Sequence, residues 1–183
     1  MKCRNCEGQY KEYILPEHME DVGGIEVLLR NTVHVRCCEG CDDEQTMIPD
    51  LRGLVRAVAM MRAAIPIRLG AGDIRLMRRA LDLTQKEFAQ AMDITPETVS
   101  RWESADSKGV GGYADKLVRQ NVCALIHAEE PGMTYDAAAI AKMQVGELIP
   151  GAPMPLIEVE LVTVKTDGAR SRVWDAQTAC IAA

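Results

Sequence analysis

Leu83-Thr84-Gln85-Lys86-Glu87-Phe88-Ala89, followed after a short turn by Ile94-Thr95-Pro96-Glu97-Thr98-Val99-Ser100-Arg101-Trp102-Glu103, decides how the middle of this 183-residue chain folds. Thr84 and Glu87 have the spacing of a capping box, in which the hydroxyl accepts from the Glu87 amide and the carboxylate reaches back. A helix is therefore expected over Gln85–Met92, with Phe88, Ala89 and Met92 inward. Asp93-Ile94 turns the chain, Thr95 caps again, and Pro96 suits the first helical position. The helix it opens, Pro96–Ala105, buries Val99 and Trp102 and exposes Glu97, Thr98, Ser100 and Arg101. Upstream, Asp73–Leu81 sets Ile74, Met77, Ala80 and Leu81 on one face and arginines on the other. Two short helices joined by a tight turn form the helix-turn-helix pattern.

Toward the N-terminus the informative residues are cysteines, five of the seven falling at positions 3, 6, 37, 38 and 41. Cys3-Arg4-Asn5-Cys6 and Cys38-Glu39-Gly40-Cys41 are two CxxC knuckles. Two residues between thiolates let both sulfurs reach one metal at about 2.3 Å, and two such pairs close a tetrahedral site. Cys38 is chosen over Cys37 because it alone makes a CxxC with Cys41, although the 31 residues between Cys6 and Cys38 exceed the usual finger spacing. The expectation is one structural Zn2+ per chain held by Cys3, Cys6, Cys38 and Cys41. No thioredoxin-like βαβ pattern surrounds either knuckle, and four thiolates leave no open position for catalysis. His18 and His34 read as a loop and a strand histidine. Gln9–Leu15 and Ile25–Val35 alternate apolar and polar residues as strands do. Without Phe or Trp, this segment buries too little apolar surface to stand alone, so a metal is useful to it.

Domain boundaries coincide with shifts in charge and with helix breakers. Lysines and arginines number 5 against 11 carboxylates in residues 1–50, 12 against 8 in 51–125, and 4 against 8 in 126–183. Screening confines each charge to about 8 Å at physiological salt, so a whole-chain net charge of −6 still permits a basic middle to meet a polyanion. Leu51–Ala64 has helical period, while Pro66 and the glycines of Gly70-Ala71-Gly72 loosen the segment after it. Tyr113–Ala128 is a helix with an apolar stripe of Leu117, Val118, Val122, Leu125 and Ile126, and Tyr135–Met143 is a short Ala-rich helix. After a Pro150-Gly151-Ala152-Pro153 linker, residues 156–174 read as a β-hairpin turning at Asp167-Gly168. The fold class expected is α+β: a zinc-bound β domain over 1–50, a helix and linker over 51–72, an all-α helix-turn-helix domain over 73–130, and an extension over 131–183 with a short helix and a hairpin. No apolar run approaches the roughly 20 residues of a membrane span, and the first residues lack a signal-peptide core, so a reducing cytoplasm is expected.

The quoted stretch, with Gly70-Ala71-Gly72-Asp73-Ile74-Arg75 before it, resembles the Xre-type, Cro/repressor-like DNA-binding domain over about 50 residues. Together with the two knuckles, residues 1–125 resemble more narrowly the YgiT/MqsA-type zinc-finger plus helix-turn-helix antitoxins and repressors. Two departures stand out: Asp93 replaces the usual turn glycine, and the segment after Glu103 lacks the usual Gly-x-x-x-Pro. The resemblance implies a recognition helix in the major groove of double-stranded DNA. Arg101 is then the candidate for bidentate contact with guanine, and Thr98 and Ser100 for base, methyl or phosphate contacts. Gln85 and Thr95 would fix register on phosphates, Arg75 and Lys86 would add positive field, and Glu97 either accepts from cytosine or serves its own helix dipole. One such helix reads few base pairs, so a homodimer on a palindromic operator is expected, with the helix over 113–128 or the hairpin as interface. The function expected is transcriptional repression; the alternative is an antitoxin that neutralises a cognate toxin through the N-terminal domain. No residue set pairs a nucleophile with a base or cradles phosphate, so no enzyme is expected.

Overall fold

The computed structural model describes residues 3–107, 109–147, 154–166 and 169–178. Strands β1 (Tyr10–Asp21) and β2 (Glu26–Cys38) form an antiparallel hairpin that turns through Gly23 and Gly24, both at positive φ. β3 (Glu44–Met47) returns along the far end of β2, from Cys37↔Glu44 to His34↔Met47. Val27, Leu29, Val33 and Val35 of β2 are all buried, the face that alternation predicts.

Helix α1 (Leu51–Ala64) lies across that face. Asp50, at φ 46°, caps it by accepting from the Gly53 amide at 3.0 Å. Next in the chain come α2 (Ala71–Ala80), α3 (Gln85–Ala91), α4 (Pro96–Trp102), α5 (Gly112–Glu129) and α6 (Ala137–Lys142). Most bounds fall within one or two residues of expectation, α6 being shorter than the expected Tyr135–Met143, and two differences have a physical cause. α2 starts before Asp73, whose carboxylate instead takes the third helical position and accepts from the Gly70 amide at 2.7 Å. α4 ends at Trp102 and not at Ala105, because Glu103 closes its last turn and is held elsewhere.

Strands β4 (Ile157–Thr166) and β5 (Ala169–Thr178) form the second hairpin; its Asp167-Gly168 turn, the Pro150–Pro153 linker and Cys180 lie outside the described residues. This hairpin is no separate extension. β4 runs parallel to β2 from Val27↔Ile157 to Arg30↔Glu160, so the chain forms one five-stranded sheet, β1-β2-β4-β5 with β3 beside β2. The reason is an unfilled edge. β3 covers only residues 34–37 of β2, which leaves the backbone of 27–30 available, and Ile157 and Val159 extend the buried face of Val27 and Leu29. Where β4 diverges, its Leu161 amide donates to the Thr32 hydroxyl at 3.3 Å. The expected separation of residues 1–50 from 131–183 therefore gives way to a shared core. Trp174 of β5 is buried against α1 and its indole donates to the Asp50 carbonyl at 2.9 Å. A Cβ on Gly53 would come within 2.9 Å of that indole, so the helix start needs glycine there.

The segment between α1 and α2, expected to be loose, is tightly held. Arg62 pairs with both Asp73 oxygens at 2.8 Å and donates to the carbonyls of Ile67 at 3.0 Å and Arg68 at 2.9 Å. Arg119 of α5 donates to the carbonyls of Ala63 at 2.8 Å, Ile65 at 2.6 Å and Ile67 at 2.6 Å, and pairs with Asp115 at 2.5 Å. Asp115 in turn accepts from the Leu69 amide at 2.8 Å. Both guanidiniums are almost wholly buried. No helix among the described residues is long and apolar enough to cross a membrane.

Removing one member of a buried ion pair leaves the other charge unpaired, which costs about 3–5 kcal/mol. Arg119→Met is thus expected to lower unfolding free energy by about that amount in urea titrations, whereas Arg79→Met, on an exposed face, should stay within about 0.5 kcal/mol of wild type.

Candidate nucleic-acid interface and cysteine cluster

The caps of α3 and α4 form as the sequence predicts. The Thr84 hydroxyl accepts from the Glu87 amide at 3.3 Å and the Glu87 carboxylate accepts from the Thr84 amide at 2.8 Å. The Thr95 hydroxyl accepts from the Thr98 amide at 3.3 Å, with Pro96 opening the helix. Asp93 adopts φ 53°, the left-handed backbone that a short polar side chain tolerates. Val99 is fully buried and Trp102 packs against the core, so α4 turns Glu97, Ser100 and Arg101 to solvent.

Glu103 sets the position of this helix, a role that no sequence rule assigned to it. Its carboxylate is buried and accepts from Arg78 Nε at 2.6 Å and Nη2 at 3.1 Å, both from α2, and from Gln85 Nε2 of α3 at 2.8 Å. Its carbonyl accepts from Arg75 Nη2 at 2.8 Å. One residue thereby ties the end of α4 to the two helices before it. Burial opposes its ionisation, yet the hydrogen bonds from Arg78 and Gln85, with the charges of Arg78 and Arg75, hold its carboxyl below the usual range.

These contacts redistribute the residues expected to face DNA. Gln85 is exposed but its amide faces Glu103, and Arg75 reaches the Glu103 carbonyl. Thr95 and Thr98 exchange a hydroxyl contact at 3.2 Å while capping α4. The Glu97 carboxyl lies below its usual range because its own amide, and then the Thr95 hydroxyl, donate to it, which is the capping arrangement. Among the described residues Arg79, Lys86 and Arg101 are exposed and have no carboxylate within 4 Å, while Arg52, Arg56, Arg62, Arg68, Arg78 and Arg119 all have one. Six of the twelve lysines and arginines of the middle segment are thus offset locally by carboxylates.

At the other end of the sheet the ligand atoms of Cys3, Cys6, Cys38 and Cys41 lie within 4.8 Å of one another. Cys3 and Cys41 sulfurs are 3.6 Å apart, Cys6 and Cys38 sulfurs 3.3 Å. A tetrahedral metal with bonds of about 2.3 Å holds its sulfurs about 3.8 Å apart, so the four thiols fit such an ion. Amides of Asn5 and Gly40 donate to Cys3 and Cys38 sulfurs at 3.4 Å, and stabilise thiolate. Two glycines permit the approach. A Cβ on Gly8 would lie 3.1 Å from Cys38 Sγ, and one on Gly40 3.0 Å from Cys6 Sγ. Neighbouring residues of a strand point to opposite faces, so Cys37 turns away from the cluster and meets Glu44 at 3.2 Å and the Tyr13 hydroxyl at 3.6 Å. His18, expected in a loop, lies instead within β1 opposite Leu29, because that strand runs on to Asp21, and both it and His34 stay out of the cluster. Cys3 is lowered to about 6, first by the Asn5 amide and then by the Tyr10 hydroxyl. Cys41 is pushed up to about 12, since the neighbouring thiols and desolvation outweigh the favourable Asp43 amide. Without a cation the four cannot all be ionised, so a divalent metal would bind with release of protons.

A family model described as helix-turn-helix matches residues 74–108, which span α2 from Ile74 onward, α3 and α4. No curated protein and no solved structure matches the chain. The middle of the chain is thus a helix-turn-helix unit, the kind with which transcription regulators bind double-stranded DNA.

Because the folded Glu103 carboxyl ionises below its unfolded value near 4.5, its pairing stabilises the protein above that pH and is lost as pH falls through the folded value. Glu103→Gln should lower stability at pH 7 by about 2 kcal/mol. It should also flatten the acid limb of a plot of thermal midpoint against pH.

Proposed function

We propose that this chain is a homodimeric transcriptional repressor that binds a palindromic operator, its own promoter included, and is stabilised by one structural zinc in each chain. The observation that carries the reading is α4, whose buried Val99 and Glu103 fix it on α2 and α3 while Ser100 and Arg101 face outward. Arg101 would read guanine, Ser100 and Thr98 would contact bases or phosphate, and Lys86 with Arg79 would supply the positive field. Gln85, Thr95 and Arg75 would act chiefly by holding the helices that present these groups. In support of a dimer, Tyr113 is 81% exposed, Leu117 44% and Leu125 37% along α5, whereas Val118, Val122 and Ile126 of the same expected stripe serve the chain's own core.

Zinc is favoured for the cluster because an all-thiolate tetrahedral set suits it and leaves no open position. Cys3, Cys6, Cys38 and Cys41 would hold the ion, and its chemistry there is to bind the two knuckles together. On this reading the protein is cytoplasmic and not an enzyme.

A second reading, an antitoxin that neutralises a cognate toxin through the N-terminal sheet, has support in the exposure of Ile14, Met19 and Met47 at 50%, 49% and 52%. It fits the YgiT/MqsA-type resemblance of residues 1–125. Co-expression with the product of the adjacent gene separates the two: a stable complex favours the antitoxin, and free protein that still binds its operator favours the repressor.

Arg101→Ala should abolish operator-selective binding, with specific affinity falling tenfold or more at unchanged thermal stability; unchanged specificity in a gel-shift competition would refute the assignment. Elemental analysis should give about one zinc per chain, retained in Cys37→Ser and lost in Cys38→Ser. The reverse pattern would move the ligand to Cys37.

A further inference from the structure

Between α1, α6 and the β4–β5 hairpin lies a cavity of about 550 Å³, lined by no residue of the helix-turn-helix and by none of the cysteines. Its size falls in the range of sites that enclose a drug-sized molecule. Met60 and Met61 of α1, Met143 after α6, and Trp174 form much of its wall. Methionine side chains are flexible and polarisable, so they adapt to aromatic guests of varied outline. Tyr135 and Trp174 add aromatic surface that attracts a cation through the ring quadrupole. The charged residues on the lining are Asp136 and Asp175, and no lysine, arginine or histidine lines it among the described residues. Asp136 uses Oδ1 to cap α6 by accepting from the Ala139 amide at 2.9 Å, which leaves the rest of its carboxylate available. Both aspartates are solvent-exposed and neither pairs with a cation among the described residues; with the apolar walls and aromatic rings they select one ligand chemistry.

We propose that this cavity binds a drug-sized lipophilic monocation. Apolar burial supplies the affinity and the two carboxylates supply the sign preference, against an anion of the same shape. The floor of the site is α1, whose Arg62 holds the start of α2 through Asp73, so an occupant rests on the helix that supports the helix-turn-helix.

Tetraphenylphosphonium and tetraphenylborate share shape and differ in charge, and titration calorimetry of each against the full metal-loaded chain needs no DNA. One equivalent of the phosphonium should bind saturably, and the borate at least tenfold more weakly. Asp136→Asn with Asp175→Asn should weaken the phosphonium at least fivefold, since asparagine caps a helix as well as aspartate and the fold is kept. Ala64→Phe, which adds a ring at the exposed α1 rim of the cavity, should weaken phosphonium binding at least fivefold. No saturable binding, equal binding of the two ions, or full phosphonium affinity in Ala64→Phe would overturn the proposal.

Discussion

Two buried guanidinium groups hold this molecule together. Arg62 and Arg119 approach the irregular segment after α1 from two helices and take up its carbonyls, while Asp73 and Asp115 balance their charge. A buried charge is tolerated only when paired and fully hydrogen-bonded, and here both conditions are met around five residues of backbone. The directions of α2 and α5 relative to α1 are set by those contacts. Since α1 also carries the sheet on its other face, the arginine pair couples the β half of the protein to the α half.

The same chemistry recurs at smaller scale in Glu103. It gathers Arg78, Gln85 and Arg75 around the end of α4, so that the outward helix is braced from within by polar contacts, where apolar packing of a seven-residue helix would be thin. In this chain arginine is more a structural residue than a surface charge. That is why a segment with a formal excess of positive charge presents only a modest positive face among the described residues.

What was legible in the sequence is local. The capping box at Thr84, the cap at Thr95, the turn at Asp93, the CxxC spacing and the alternation of β2 each depend on residues within a few positions, and each is present as expected. The choice of Cys38 over Cys37 rested on spacing, and strand alternation supplies its physical basis. Long-range partners were not legible. Nothing in the period of Ile157, Val159 and Leu161 names β2 as the neighbour, and a count of arginines is blind to whether Asp115 or solvent receives them. The apolar stripe of α5 likewise mixed core residues with exposed ones, because helical period marks a face but not what covers it. Gly8 and Gly40 could have been noticed, each standing two residues from a knuckle cysteine where only a residue without Cβ lets the sulfurs approach.

The parallel pairing of β2 with β4 joins residues 27–30 to residues 157–160, across most of the chain. The knuckle cysteines, by contrast, all lie within 3–41. During synthesis the cysteine cluster can therefore assemble while the sheet that adjoins it still lacks two strands and the Trp174 that covers α1. Until β4 is made, with 115 residues between Cys41 and its start, the sheet beside β2 lacks the second hairpin that completes it. An early closed metal knot at the head of that unfinished sheet would fix the ends of β1, β2 and β3 in register before the last hairpin arrives.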